Sequence, residues 1–152
     1  MKTKIDSAVN WLLSGLLALL GFASCGKTTC GGIAEYGTPT AGYRALGRVA
    51  DETGTPVKGI EVSRVTRGLS ESKTVIGLTD ENGRFADTDY ATAWCGDIEV
   101  TFTDIDGEEN GGKFQSKTLT LDDFDATKVR DGKGWDNGDY DISADVKLTK
   151  EE

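Results

Sequence analysis

The 152-residue chain carries 26 acidic against 17 basic side chains, a formal net charge of −9, and no histidine. A surface this acidic repels nucleic acid at long range, and the missing imidazole removes the usual base for Ser, Cys and Thr nucleophiles and most zinc-site patterns. Carboxylate-only catalysis stays formally open through abundant Asp and Glu, but acidic groups on strand exteriors and turns are ordinarily solvated, so the expectation is that the chain is not an enzyme.

The first thirty residues read as a bacterial lipoprotein export signal. Lys2 and Lys4 supply a basic start, Trp11 to Phe22 an apolar stretch, and Ala23-Ser24 small residues just before Cys25, with Phe22 where such signals usually carry Leu. The apolar run is shorter than the ~20 residues a membrane-spanning helix needs, so residues 1–24 are expected to be removed and Cys25 to carry the lipid. A plain cleaved signal and a retained anchor helix are the alternatives. Loss of Lys2, Lys4 and Asp6 makes the remainder more acidic still, so the membrane partner is held through lipid and not through a basic patch.

About 130 residues remain, enough for one domain. Residues 25–42 begin with a small, polar, aperiodic stretch and are assigned as a lipidated tether; residues 43–149 form the domain. With Cys25 acylated, Cys30 and Cys95 are left, and a disulfide between them is the simple pairing in an oxidising compartment. A half-buried Cys95 beside Trp94 and a free Cys30 is the alternative.

Alternation begins at Tyr43, with Ala45, Gly47 and Val49 on the same face and Arg44 and Arg48 on the other, the signature of a half-buried strand. Asp51 to Pro56 is a turn and Ile60-Glu61-Val62 starts the next strand. Thr74 to Thr79 is extended, and Asp80-Glu81-Asn82-Gly83 has hairpin chemistry because Asn-Gly tolerates positive φ. Ile98, Val100 and Phe102 form a clear strand, as do Tyr140, Ile142, Ala144, Val146 and Leu148. Between them lie a strand within Phe114 to Leu121 and a long acidic stretch from Asp122 to Asp139, with at most one helical turn near Phe124 to Lys128. Together these predict an all-β antiparallel sandwich of about seven strands, of Greek-key type.

Three features are candidates for chemistry. Asp104, Asp106, Glu108 and Asn110 place oxygen ligands at every second position in a glycine-rich loop, a pattern that suits calcium. Glycine falls at the fourth position and Gln115 at the twelfth, which excludes an EF-hand; a solvated turn is the competing reading. Asp122, Asp123 and the acidic run from Asp131 to Asp141 either supplement such a site or bind nothing. Trp135, set among glycines and carboxylates, is either a sugar-stacking platform or a cap on the end of the sandwich. No other cofactor is expected.

The order Gly47-Arg48-Val49, Asp51, Gly54, Pro56-Val57, Gly59-Ile60, Val62, then Thr79-Asp80, Asn82-Gly83 and Phe85, resembles the carboxypeptidase-regulatory-like or transthyretin-like β-sandwich. That resemblance implies two hairpins and a module used as a spacer or docking domain. The lipid-site cysteine, Tyr36-Gly37-Thr38-Pro39 and the Asp104–Gly112 loop add a likeness, over nearly the whole chain, to the lipoproteins of Gram-negative bacteria named for neighbouring radical SAM enzymes. The expectation is therefore a lipid-anchored, non-enzymatic structural or protein-interaction module of the cell envelope, on the outer membrane and facing periplasm or exterior, with a protein partner. The alternatives are a substrate or accessory of a radical SAM maturation system, or a carbohydrate-binding module using Trp135.

Overall fold

The computed structural model describes residues 38–67 and 70–151; Cys25, Cys30 and the expected export signal lie outside the described residues. The chain folds into two β-sheets packed face to face, as the alternation predicts, with nine strands instead of about seven. The first sheet has the order β4 (Arg84–Ala86), β1 (Thr40–Asp51), β9 (Asp136–Leu148), β8 (Asp125–Arg130), with β5 (Ala91–Trp94) also pairing with β1. The second has the order β3 (Ser72–Leu78), β2 (Ile60–Thr66), β6 (Ile98–Asp104), β7 (Lys117–Thr120). Strand pairings are antiparallel except β1 with β9, which run parallel from Gly42↔Asp139 to Asp51↔Leu148. Strand β1 begins at Thr40, inside the stretch assigned as tether, and a bridge between Phe114 and Lys150 carries the domain to its end. Among the described residues no helix is long and apolar enough to cross a membrane.

The core is built by period two. Tyr43, Ala45 and Val49 of β1 and Tyr140, Ile142, Val146 and Leu148 of β9 face Ile60, Val62, Ile98, Val100 and Phe102 of the other sheet, and all are buried. Phe85 meets Phe102 edge-on at 5.2 Å, and Tyr43 lies over Tyr140 at 6.0 Å between ring centroids. The next core-facing position on β2 after Ile60 and Val62 is a charge: Arg64 is buried with them and forms an ion pair with Asp87, which follows β4 in the opposite sheet. The Asp87 amide donates to Ala45 O at 2.8 Å, which fixes the carboxylate's backbone to β1.

Three expectations about local structure are corrected. Asp80 to Gly83 does form a tight turn: Asp80 Oδ1 accepts from the amides of Asn82 and Arg84, both at 2.8 Å, and Gly83 takes φ 71°. Yet β3 and β4 belong to different sheets, so this turn is a corner between layers and not a hairpin. The same holds for the turn from β1 to β2, whose local bridge Ala50↔Pro56 ends before the strands part company. Phe124 to Lys128 is not helical; Phe124 and Ala126 alternate into the core as β8 forms, and the only short helices among the described residues are 3-10 turns at Glu109–Gly111 and Leu121–Asp123.

Candidate functional site

The chain crosses from the second sheet to the first between β7 and β8, and this crossing leaves an open cleft. Asp123 holds the crossing turn by accepting from Thr120 N at 2.8 Å and Thr120 Oγ1 at 3.0 Å, while Phe124 N donates to Leu121 O at 3.2 Å. Strand β8 then pairs with β9 only as far as Asp125↔Ser143. Beyond that point β9 has no β8 neighbour, and the space between it and β7 forms a cleft of about 840 Å³. Its floor is apolar: Leu119, Phe124 and Val146 are buried, and Leu121, Ala126 and Ala144 are half-buried. Its rim carries Asp122, Asp123, Asp125 and Asp145 against one cation, Lys117, whose Nζ donates to Lys147 O at 3.1 Å from β7 across to β9. The sequence points to Asp122 and Asp123 only as adjuncts of a metal loop; the cleft itself follows from where a pairing stops, which carries no local sequence signal.

The calcium candidates are not brought together as a ligand set. Asp104 turns both oxygens onto its own loop, Oδ1 accepting from the amides of Asp106 at 3.1 Å and Gly107 at 3.0 Å, and Oδ2 from Phe114 N at 2.8 Å. Asp106 Oδ2 accepts from the Asn110 side-chain amide at 2.5 Å, and Glu108 is exposed. Among the described residues no group of three or more His, Cys, Asp or Glu side chains is placed to hold a metal. Asp104 thus ties the loop together through backbone amides on both of its oxygens. Burial pushes the Asp104 carboxyl up, but its hydrogen bonds from Phe114, Gly107 and Asp106 outweigh that and leave it below its ordinary value of 3.8. A carboxyl depressed on folding stabilises above its unfolded pKa and loses that stabilisation as pH falls through its folded pKa. Asp104→Asn is accordingly expected to cost about 1.5–3 kcal/mol at neutral pH, the value of a charge-assisted hydrogen bond. In urea melts at successive pH values the gap from wild type stays constant above about pH 5 and narrows below 3.8; a gap independent of pH would show that Asp104 acts through shape and not charge.

Trp135 and Cys95 lie together at the end of the sandwich where the chain enters β1. Thr40 N donates to Trp135 O at 2.8 Å, and Cys95 N to Pro39 O at 3.0 Å. Cys95 is disulfide-bonded, and the Asn137 side-chain amide donates to its Sγ at 3.0 Å; Cys30, its expected partner, is outside the described residues. Trp135 does not fold back as a cap: it is 47% exposed. Behind it Arg130 reaches Asp136 Oδ2 at 2.9 Å and Asp139 Oδ2 at 2.6 Å, which hold the guanidinium charged and depress the Asp136 carboxyl.

No family model matches the sequence, and no curated protein matches it. Among solved structures the chain is similar to 3-chlorocatechol 1,2-dioxygenase from Rhodococcus opacus 1CP, at 14% identity and TM-score 0.44, over 78% of this chain and 63% of that one. It is similar too to hydroxyquinol 1,2-dioxygenase from Pseudomonas putida DLL-E4, at 11% identity and TM-score 0.44, over 90% of this chain and 71% of that one. A 9R-lipoxygenase from Cyanothece PCC8801 matches at 15% identity and TM-score 0.34, with this chain spanning 24% of its length. The expectation of a non-enzymatic structural or protein-interaction module is corrected here: the similar structures are named as enzymes and none of these three as a structural module, and fold class alone decides neither for nor against catalysis. Likeness at these scores assigns no activity, substrate or metal to this chain.

Proposed function

We propose that this chain is a cell-envelope lipoprotein, acylated on Cys25, whose cleft between β7 and β9 binds a small molecule with an apolar body and a cationic group. The export signal supports the location. The cleft carries the binding reading: its volume of about 840 Å³ lies in the range of small-molecule sites, and its floor is apolar with polar groups gathered at the rim. Four carboxylates against one lysine set the sign of the charge that fits there. Asp123 is committed to the turn, so Asp122, Asp125 and Asp145 are the groups that meet the ligand.

Benzyltrimethylammonium, an aromatic ring joined to a fixed cation, tests the reading by calorimetric titration against benzoate, which has the same ring with the opposite charge. The cation is expected to bind and benzoate not to. Converting Asp122, Asp125 and Asp145 to Asn removes three exposed charges at roughly 0.5–1 kcal/mol each and weakens the cation by about tenfold or more, an effect that shrinks in high salt. Equal binding of both probes, or of neither, would overturn the proposal.

A further inference from the structure

We infer that the end of the sandwich carrying Trp135 docks on the lipid surface, and that the Cys95 disulfide shortens the link to the anchor enough to keep it there. This rests on the lipoprotein reading above and on Cys30 as the partner of Cys95. From Cys25 to Thr40 the chain runs fifteen residues, a reach of about 50 Å if extended, which fixes no orientation. From Cys25 to Cys30 it runs five, a reach of about 17 Å, and a disulfide adds roughly 5.5 Å between α-carbons. The lipid-bearing residue then sits within about 23 Å of Cys95.

Cys95 and Trp135 share one end of the domain, since Asn137, two residues beyond Trp135, donates to Cys95 Sγ and Thr40 N donates to Trp135 O. Trp135 is half-exposed there, and tryptophan favours the boundary between headgroups and acyl chains because one part of it is apolar and its N–H stays wet. The chain as a whole repels anionic lipid, but around Trp135 the cations Lys128, Arg130 and Lys133, with Arg44 of β1 paired to Asp141, match Asp131, Asp136, Asp139 and Asp141 in number. The ion pairs of Arg130 and of Lys128 with Asp131 neutralise most of that charge locally. The cleft lies about ten residues further along β9, roughly 33 Å away at strand rise, so docking at Trp135 leaves its mouth in water.

The test uses the mature lipidated chain in vesicles of phosphatidylethanolamine and phosphatidylglycerol, with and without phosphatidylcholine brominated near the headgroup. Trp94→Phe leaves Trp135 as the one tryptophan after removal of the signal, which takes Trp11 with it. A ring seated ~5–10 Å into the boundary lies beside the bromines, so its emission is expected to fall about twofold. The quenching should be lost in Cys30→Ser, where the link lengthens from five residues to fifteen. If Trp94→Phe does not fold, the difference between wild type and Trp135→Phe gives the same reading. A chain that floats with vesicles while Trp135 stays unquenched overturns the docking alone; quenching that survives Cys30→Ser overturns the role of the disulfide; a chain that fails to float overturns the lipoprotein reading with it.

Discussion

Arg64→Ala lowers the stability of the sandwich by about 3–5 kcal/mol, the cost of leaving one member of a buried ion pair without its partner. The side chains of Arg64 and Asp87 are only 8% and 7% exposed, and they meet between the two sheets. Burial lowers the Arg64 pKa, with Asp89 acting against it, yet a guanidinium stays charged throughout the range in which proteins fold. Truncation therefore strands the Asp87 carboxylate in a site built around a cation. The pair is not expected to stabilise relative to an apolar filling: Arg64→Met with Asp87→Leu should recover most of the loss, since well-packed hydrophobic replacements of buried pairs are often neutral or better. Urea unfolding of Arg64→Met, Asp87→Leu and the double variant reads this as a double-mutant cycle. Additive losses in the double variant would show that the two side chains act through packing and not through each other.

Arg64 also marks the limit of what alternation discloses. The faces of β1, β6 and β9 are legible because Tyr43, Ala45 and Val49, then Ile98, Val100 and Phe102, then Tyr140, Ile142, Val146 and Leu148, repeat at period two against polar neighbours. On β2 the same period runs Ile60, Val62, Arg64, Thr66, and its polar second half hides two buried positions. Turn chemistry is legible at Asp80 to Gly83, because it depends on side chains within five residues. Which sheet the next strand joins is decided by contacts with β1, far away in sequence, and so two expected hairpins are corners between layers. The Asp104 loop shows the same division. Its oxygen-rich spacing is visible, but whether those oxygens face a cation or backbone amides is set by the path from β6 to Phe114. The cleft is less legible still, since it exists where β8 stops pairing with β9 at Ser143.

With Cys30 as its partner, Cys95→Ser is expected to cost about 4 kcal/mol, the chain-entropy value for releasing a cross-link across about 65 residues. Serine keeps an acceptor for the Asn137 amide that now donates to Sγ, so the loss reports the cross-link and not that hydrogen bond. Because the entropy varies with the logarithm of loop length, pairing of Cys95 with Cys25 in place of Cys30 changes the figure by under about 0.1 kcal/mol. Stability thus tests whether the link exists, and peptide mapping of unreduced protein tests which cysteine makes it, Cys25 being available only in chains whose thiol is not acylated. The denaturant slope separates the two ways a cysteine variant loses stability. Freeing the loop expands the unfolded chain and raises m, whereas damage confined to the native packing moves the midpoint at constant m. Dithiothreitol should reproduce both the lowered midpoint and the raised slope in wild type. A wild-type midpoint indifferent to the reductant would mean that the sandwich, with β1 held between β9 on one edge and β4 and β5 on the other, is no more stable for the Cys95 disulfide.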